Sequence, residues 1–200
     1  MTTTSINRIP ASLRKRLKTI RRVSSDTKSP AESVAYQNED VCVNIGKPVT
    51  APCLIPVLHA STPACINNPF MVNGEPYRVT ALSFGSPHGA VFVDDVDDID
   101  VASLGTALGT HKLFPHGASI VFIQVMDKKS IKARLWHKEH GGIVFTPESA
   151  GVAGTAARML QKVSSSDISV SMNEHTVKVE WHHGDDEALL TGNASLIRTN

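Results

Sequence analysis

The stretch that most constrains the fold is Ser149-Ala150-Gly151-Val152-Ala153-Gly154-Thr155-Ala156-Ala157, a run of small residues leading into Arg158-Met159-Leu160-Gln161. It reads as a helix over about 150–163, with Ser149 as its N-cap. A helix so poor in large side chains suits the centre of a domain, with strands around it. Free backbone N–H groups at such a start attract carboxylate or phosphate, so a small anion is the ligand expected there, held by Ser149, Gly151 and Val152. The same start would lower the pKa of a cysteine and make it reactive, but Ala150 stands where that thiol would be.

The strands around this helix are read from alternation and turn signals. Val41–Ile45 alternates as a strand ended by Gly46-Lys47-Pro48, and Cys53–Leu58 reads as a second. Phe70–Val72 and Tyr77–Phe84 form a hairpin across Asn73-Gly74. Gly85–Gly89 is expected to be a loop and Ala90–Val93 a strand, followed by a short helix over Val101–Gly109. Strands are expected at Ser119–Val125, Ile131–Trp136, Ile168–Met172 and Thr176–Trp181, with Ala188–Leu190 and Ala194–Ile197 closing the chain. The fold class is α+β: a curled, antiparallel-rich sheet wrapped around one central helix.

Charge divides the chain. The formal net charge is +1. Residues 1–34 hold eight Lys/Arg against Asp26 and Glu32, a net +6, so the rest carries −5. Residues 1–38 read as a basic Ser/Thr-rich arm, with Leu13, Leu17, Ile20 and Val23 at helical spacing, and residues 39–200 as the domain. For residues 8–22 an organelle transit signal, contact with an anionic membrane and contact with nucleic acid compete with a packed or solvated helix. No apolar run approaches the roughly 20 residues that span a bilayer, and no apolar segment follows the charges as in a secretory signal. The three cysteines, Cys42, Cys53 and Cys65, form no CxxC pair. They argue against a disulfide framework and read as inert thiols in a reducing compartment, the cytoplasm, with an organelle as the alternative.

The order of these pieces resembles the second domain of diaminopimelate epimerase. The runs that carry the likeness are VNIGKP (43–48), SFGSPHGAVFVDDVDDID (83–100), HKLFP (111–115), IVFIQVMDKKSIKARLW (120–136), AGVAGTAARML (150–160) and VSMNEHTVKVEW (170–181) with LLTGNA (189–194). The resemblance implies two similar domains, each with strands around a central helix, and an isomerase that needs no cofactor. One thiolate removes the substrate α-proton and a thiol from the other domain returns one from the far face. Residues 1–40 offer no counterpart of the first domain and its cysteine. In the second domain the family turn Ala-Cys-Gly-Thr-Gly-Ala matches residues 149–154, so Ala150 occupies the cysteine position and Val152 that of a hydroxyl. The family's Gly-Asn-Pro-His reads Gly85-Ser86-Pro87-His88. A second substrate asparagine reads Ser119, and a Glu-Arg pair reads His137-Lys138. Framework positions such as Gly46, Pro48, Pro87, His88, Phe114 and Pro115 match.

Loss of the site with retention of the frame implies a domain silent for two-thiol epimerisation, acting as a binding or self-associating module. The expected partner is a second copy or another chain. The alternative is a diverged isomerase of the same superfamily, using a non-thiol base such as His137 or completed by a partner chain. Related isomerases of phenazine biosynthesis lack the thiol pair. The ligand-binding candidates are Ser86, Ser119, His137, Lys138, Ser149, Gly151 and Val152, and no cofactor is expected.

Other polar clusters read as structure. His137 and His140 beside His116, and His182-His183 with Asp185, Asp186 and Glu187, read as solvated histidines, so no metal is expected. The Asp94–Asp100 run lacks the glycine and distant glutamate of a calcium loop. Asn193-Ala194-Ser195 is a glycosylation triplet without a secretory signal, and Arg21-Arg22-Val23-Ser24 resembles a kinase site by chance.

Overall fold

A computed structural model describes residues 40–58, 64–182 and 187–197. The basic arm, His183, Asp185 and Asp186 lie outside the described residues. Among the described residues ten strands form one sheet: β1 (Asp40–Gly46), β2 (Asn68–Val72), β3 (Glu75–Ser83), β4 (Pro87–Phe92), β5 (Ser119–Val125), β6 (Ser130–Trp136), β7 (Ile143–Val144), β8 (Asp167–Met172), β9 (His175–Glu180) and β10 (Ala188–Asn193). Three helices are described: α1 (Val101–Gly109), α2 (Pro147–Met159) and the short α3 (Ala194–Ile197). The sheet path is β1-β10-β9-β8-β6-β5-β4-β3-β2, with β7 beside β6. β4 pairs parallel with β5 across α1, and β6 pairs parallel with β8 across α2. The other pairings are antiparallel.

The α+β class and the central helix are as expected, but the sheet is open rather than curled shut. Its path ends at β1 and β2, which do not pair with each other. α2 packs against β3, β4, β5, β6, β8, β9 and β10. Ten of its thirteen residues are buried. Small residues make this possible. A Cβ on Gly154 would stand 2.8 Å from the Cβ of Val179 on β9.

The core has two layers, not one. Leu82, Ala90, Val121 and Ile123 face α2, while Val79, Ala81, Val91, Ile120 and Phe122 face α1 and Phe114. Alternate residues of β3, β4 and β5 thus supply opposite faces, which is why β5 reads as a nearly continuous apolar run.

Several local expectations change. Residues 53–56 are a turn, not a strand, because the N–H groups of Leu54 and Ile55 both donate to the Ala51 carbonyl. Pro87-His88-Gly89 is the start of β4 rather than loop, paired in register with Ser83, Leu82 and Ala81. α2 begins three residues earlier than expected, with Thr146 as N-cap and Pro147 in its first turn. Pro fits there, since that position has no helical partner for an N–H. The helix ends in a Schellman closure: Lys162 N–H donates to Ala157 O at 2.9 Å and Gln161 N–H to Arg158 O at 3.1 Å. Gln161 takes the left-handed φ of 54°.

The Asp94–Asp100 run is framework. Asp95 Oδ1 accepts the Asp97 N–H, Asp97 pairs with Lys132, and Asp100 caps α1 by accepting the Ser103 N–H at 3.1 Å. Asn193 Oδ1 accepts both the N–H and the hydroxyl of Ser195 as α3 begins.

Candidate functional site

The residues singled out in the sequence converge where β4, β5 and β6 meet the start of α2. Ser86 lies in the turn before β4, and its carbonyl accepts the Nδ1–H of His88 at 2.9 Å. His88 on β4 stands beside Ser119, the first residue of parallel β5. Ser119 is buried, and its hydroxyl accepts the backbone N–H of Lys138 at 3.3 Å. His137 and Lys138 leave the end of β6 and stay half-buried.

Electrostatics ties these positions together. Burial pushes the pKa of His88 below its usual value. The Ser86 carbonyl and Glu148 pull the other way, and His137 and Lys138 add to the lowering. Because Nδ1 donates to a carbonyl, the neutral ring keeps its lone pair on Nε2. His137 is lowered as well, by burial first and then by the neighbouring His140. Sequence reasoning placed His88 in the framework and overlooked Glu148. The adjacency of Pro87-His88 to Ser86 was the available signal.

The start of α2 differs most from expectation. Ser149 is not the cap but sits three residues beyond it, in a reciprocal capping box with Thr146. Its N–H donates to Thr146 Oγ1 at 3.1 Å, and its hydroxyl donates to the Thr146 carbonyl at 2.7 Å. The Ala150 N–H donates to the same carbonyl at 3.2 Å. Gly151 and Val152 lie in the second turn, where amides bond within the helix. Pro147 has no N–H, so Glu148 is the first-turn amide left for an anion, beside its own carboxylate. The amides after Ser149 are therefore already engaged. The Thr-Pro pair at 146–147 was the sequence signal for this earlier start.

Side chains close the same place from outside. Ser149, Ala150 and Val152 are 0% exposed. Ile45 of β1 lies directly against the α-carbon of Gly151, and a Cβ there would be 3.5 Å from Phe84. No described thiol reaches Ala150. Cys42 faces a groove of about 710 Å³ on the outer side of the sheet, with Asp167, Lys178 and Glu180. Cys53 is exposed. Cys65 is buried in the layer facing α1, where burial raises its pKa and keeps it inert.

The histidine clusters are also rearranged. His137 and His140 stack with ring centroids 4.6 Å apart, and Glu139, not His116, completes their group. His116 is exposed and lines a cavity of about 540 Å³ together with Trp136, Lys138 and Glu139. His182 bonds to Glu180 at 3.0 Å. Among the described residues no helix is long and apolar enough to cross a membrane.

Comparison with known proteins agrees with this frame. Diaminopimelate epimerase of Desulforapulum autotrophicum is 30% identical over 163 residues, covering 82% of this chain and 57% of that enzyme. The enzyme of Ectopseudomonas mendocina is 31% identical over 186 residues, covering 92% of this chain and 66% of its own length. The chain thus spans less than two-thirds of the length of these relatives. Among solved structures, a hydroxyproline epimerase from Agrobacterium vitis, with bound trans-4-hydroxy-L-proline, superposes with a TM-score of 0.50. It is 12% identical, covering 77% of this chain and 49% of that one, and shows the fold alone. The sequence model of the diaminopimelate epimerase family matches residues 80–197. The chain belongs to the diaminopimelate epimerase family.

Proposed function

We propose that this chain is an epimerase-family domain that does not carry out two-thiol epimerisation and serves as a binding or self-associating module. One observation carries the reading. At the position the family resemblance gives to the second thiol stands Ala150, fully buried, with Ile45 and Phe84 packed over the next residue. Among the described residues, Ala150 offers no proton-transferring group and no exposed surface at that point. The reaction requires a group that gains and loses a proton at the substrate α-carbon, and an alanine methyl does neither. A second copy of the chain would bring a second alanine, so self-association restores the shape of a two-domain pair without its chemistry.

The test is α-proton exchange in heavy water, followed by proton NMR over a panel of amino acids that includes diaminopimelate. No loss of the α-proton signal above the buffer rate is expected. Enzyme-dependent exchange of any member would sink the reading.

One observation favours a second reading, a diverged isomerase with a non-thiol base. His137 is half-buried, held neutral by its surroundings, and close to His88, Lys138 and Glu148. That arrangement suits a general base at neutral pH. It requires turnover that His137→Ala abolishes while the fold, followed by circular dichroism, is kept.

A further inference from the structure

We propose that the hairpin loop between β6 and β7 binds a borderline divalent transition-metal ion through His137, Glu139 and His140. One ligand atom from each lies within 4.8 Å of the others. The two imidazoles meet at this one loop, their ring centroids 4.6 Å apart at an interplanar angle of 21°.

The loop is built to hold them. It stands on the ladder pairs Leu135–Val144 and Trp136–Ile143. Its neck is closed twice, by His137 N–H to Gly142 O at 3.1 Å and by Gly141 N–H to His137 O at 2.8 Å. Gly141 takes a φ of 59°, which a glycine adopts without strain. Metal–ligand bonds of about 2.0–2.2 Å place tetrahedral ligand atoms roughly 3.3 Å apart. The set must therefore close by up to about 1.5 Å. Glu139 and His140 are exposed, and His140 turns out of its stack on His137 as the set closes. One bond yields on binding, the long 3.3 Å contact from Glu139 N–H to His137 Nδ1.

Donor chemistry selects the ion. Two imidazoles and one carboxylate suit Zn²⁺, Co²⁺ or Ni²⁺ rather than the oxygen-rich shells of Ca²⁺ and Mg²⁺. Three protein ligands leave a position for water. The charged and titratable neighbours are His88, Lys138, Glu148 and His116, which lines one cavity with Lys138 and Glu139. Lys138 opposes a cation and Glu148 favours it, so the balance rests on Glu139. The inference stands apart from the function proposed above, since metal uptake is read without turnover.

The full chain, without an affinity tag and treated with chelator, is titrated with Co²⁺ at neutral pH. Visible absorption and calorimetry are followed together. One equivalent should bind with a visible ligand-field band that Zn²⁺ abolishes. His137→Ala and His140→Ala should each weaken binding by at least about tenfold. Glu139→Gln should weaken it and shift the band, while His182→Ala should change nothing. Because His140 is exposed, its variant keeps the test open if His137→Ala fails to fold. No binding by the wild-type chain, or undiminished binding by His140→Ala, would overturn the proposal.

Discussion

Gly154 shows how two opposite effects are settled at one residue. Alanine in place of glycine within a helix is worth about 1 kcal/mol by propensity. Against that, its Cβ would meet Val179 at 2.8 Å, with that valine fully buried on a strand that cannot retreat. Overpacking of this kind costs about 1–3 kcal/mol, so the clash wins. Gly154→Ala is expected to lower the urea midpoint, and a raised midpoint would show that the α2–β9 contact has slack. His88 carries a pH signature. Its native pKa lies below the ordinary 6.5. The unfolded chain therefore binds the proton first as pH falls. The contribution is whole above about 6.5 and is lost as pH drops from there toward the native value, at up to about 1.4 kcal/mol per pH unit. Urea unfolding at pH 7.5 and 5.5 should show a smaller acid loss in His88→Asn than in the wild type. Equal losses would place the titration elsewhere.

Among the elements, β5 and α2 show what a sequence reveals and what it leaves out. Ser119–Val125, α1 and the β2–β3 hairpin fall where an apolar run, length and Asn73-Gly74 put them. Those signals are local, and local structure follows them. The start of α2 was misplaced because Ser149 is a good cap by type, while Thr146 followed by Pro147 is a better one in context. The second core layer was legible in SIVFIQV, a run without alternation, but only once a partner for each face was asked for. Gln161 at the end of α2 gives a direct test. It sits at φ 54°, where an L side chain is disfavoured and glycine is not. Gln161→Gly should raise stability by about 0.5–1 kcal/mol in denaturant unfolding. A loss would mean that the glutamine side chain contributes contacts outweighing its backbone strain.

At the scale of the whole molecule, the fold of the family is present, and the proposed silence rests on a few positions set within it. The frame of this chain is an open sheet, a buried helix of small residues, and the acidic run that caps α1 and pairs with Lys132. The convergence of Ser86, Ser119, His137 and Lys138 was readable from motif order, because each lies at a strand end or turn that the frame fixes. The closure of the helix start was not readable. It depends on Ile45, more than 100 residues away in sequence, and on a hydrogen-bond exchange between Thr146 and Ser149. No spacing rule reports such contacts. Together they turn a helix start of the kind that binds anions into one whose donors are already engaged.

That closure is the centre of the account, and the backbone amides of α2 report on it directly. Uniformly ¹⁵N-labelled protein is titrated with diaminopimelate, and with a simple carboxylate such as acetate, while the amide resonances of Glu148 to Val152 are followed. The account predicts no saturable shift at Ser149, Ala150, Gly151 or Val152, because these donors are bonded within the helix. Saturable shifts confined to those amides would contradict it.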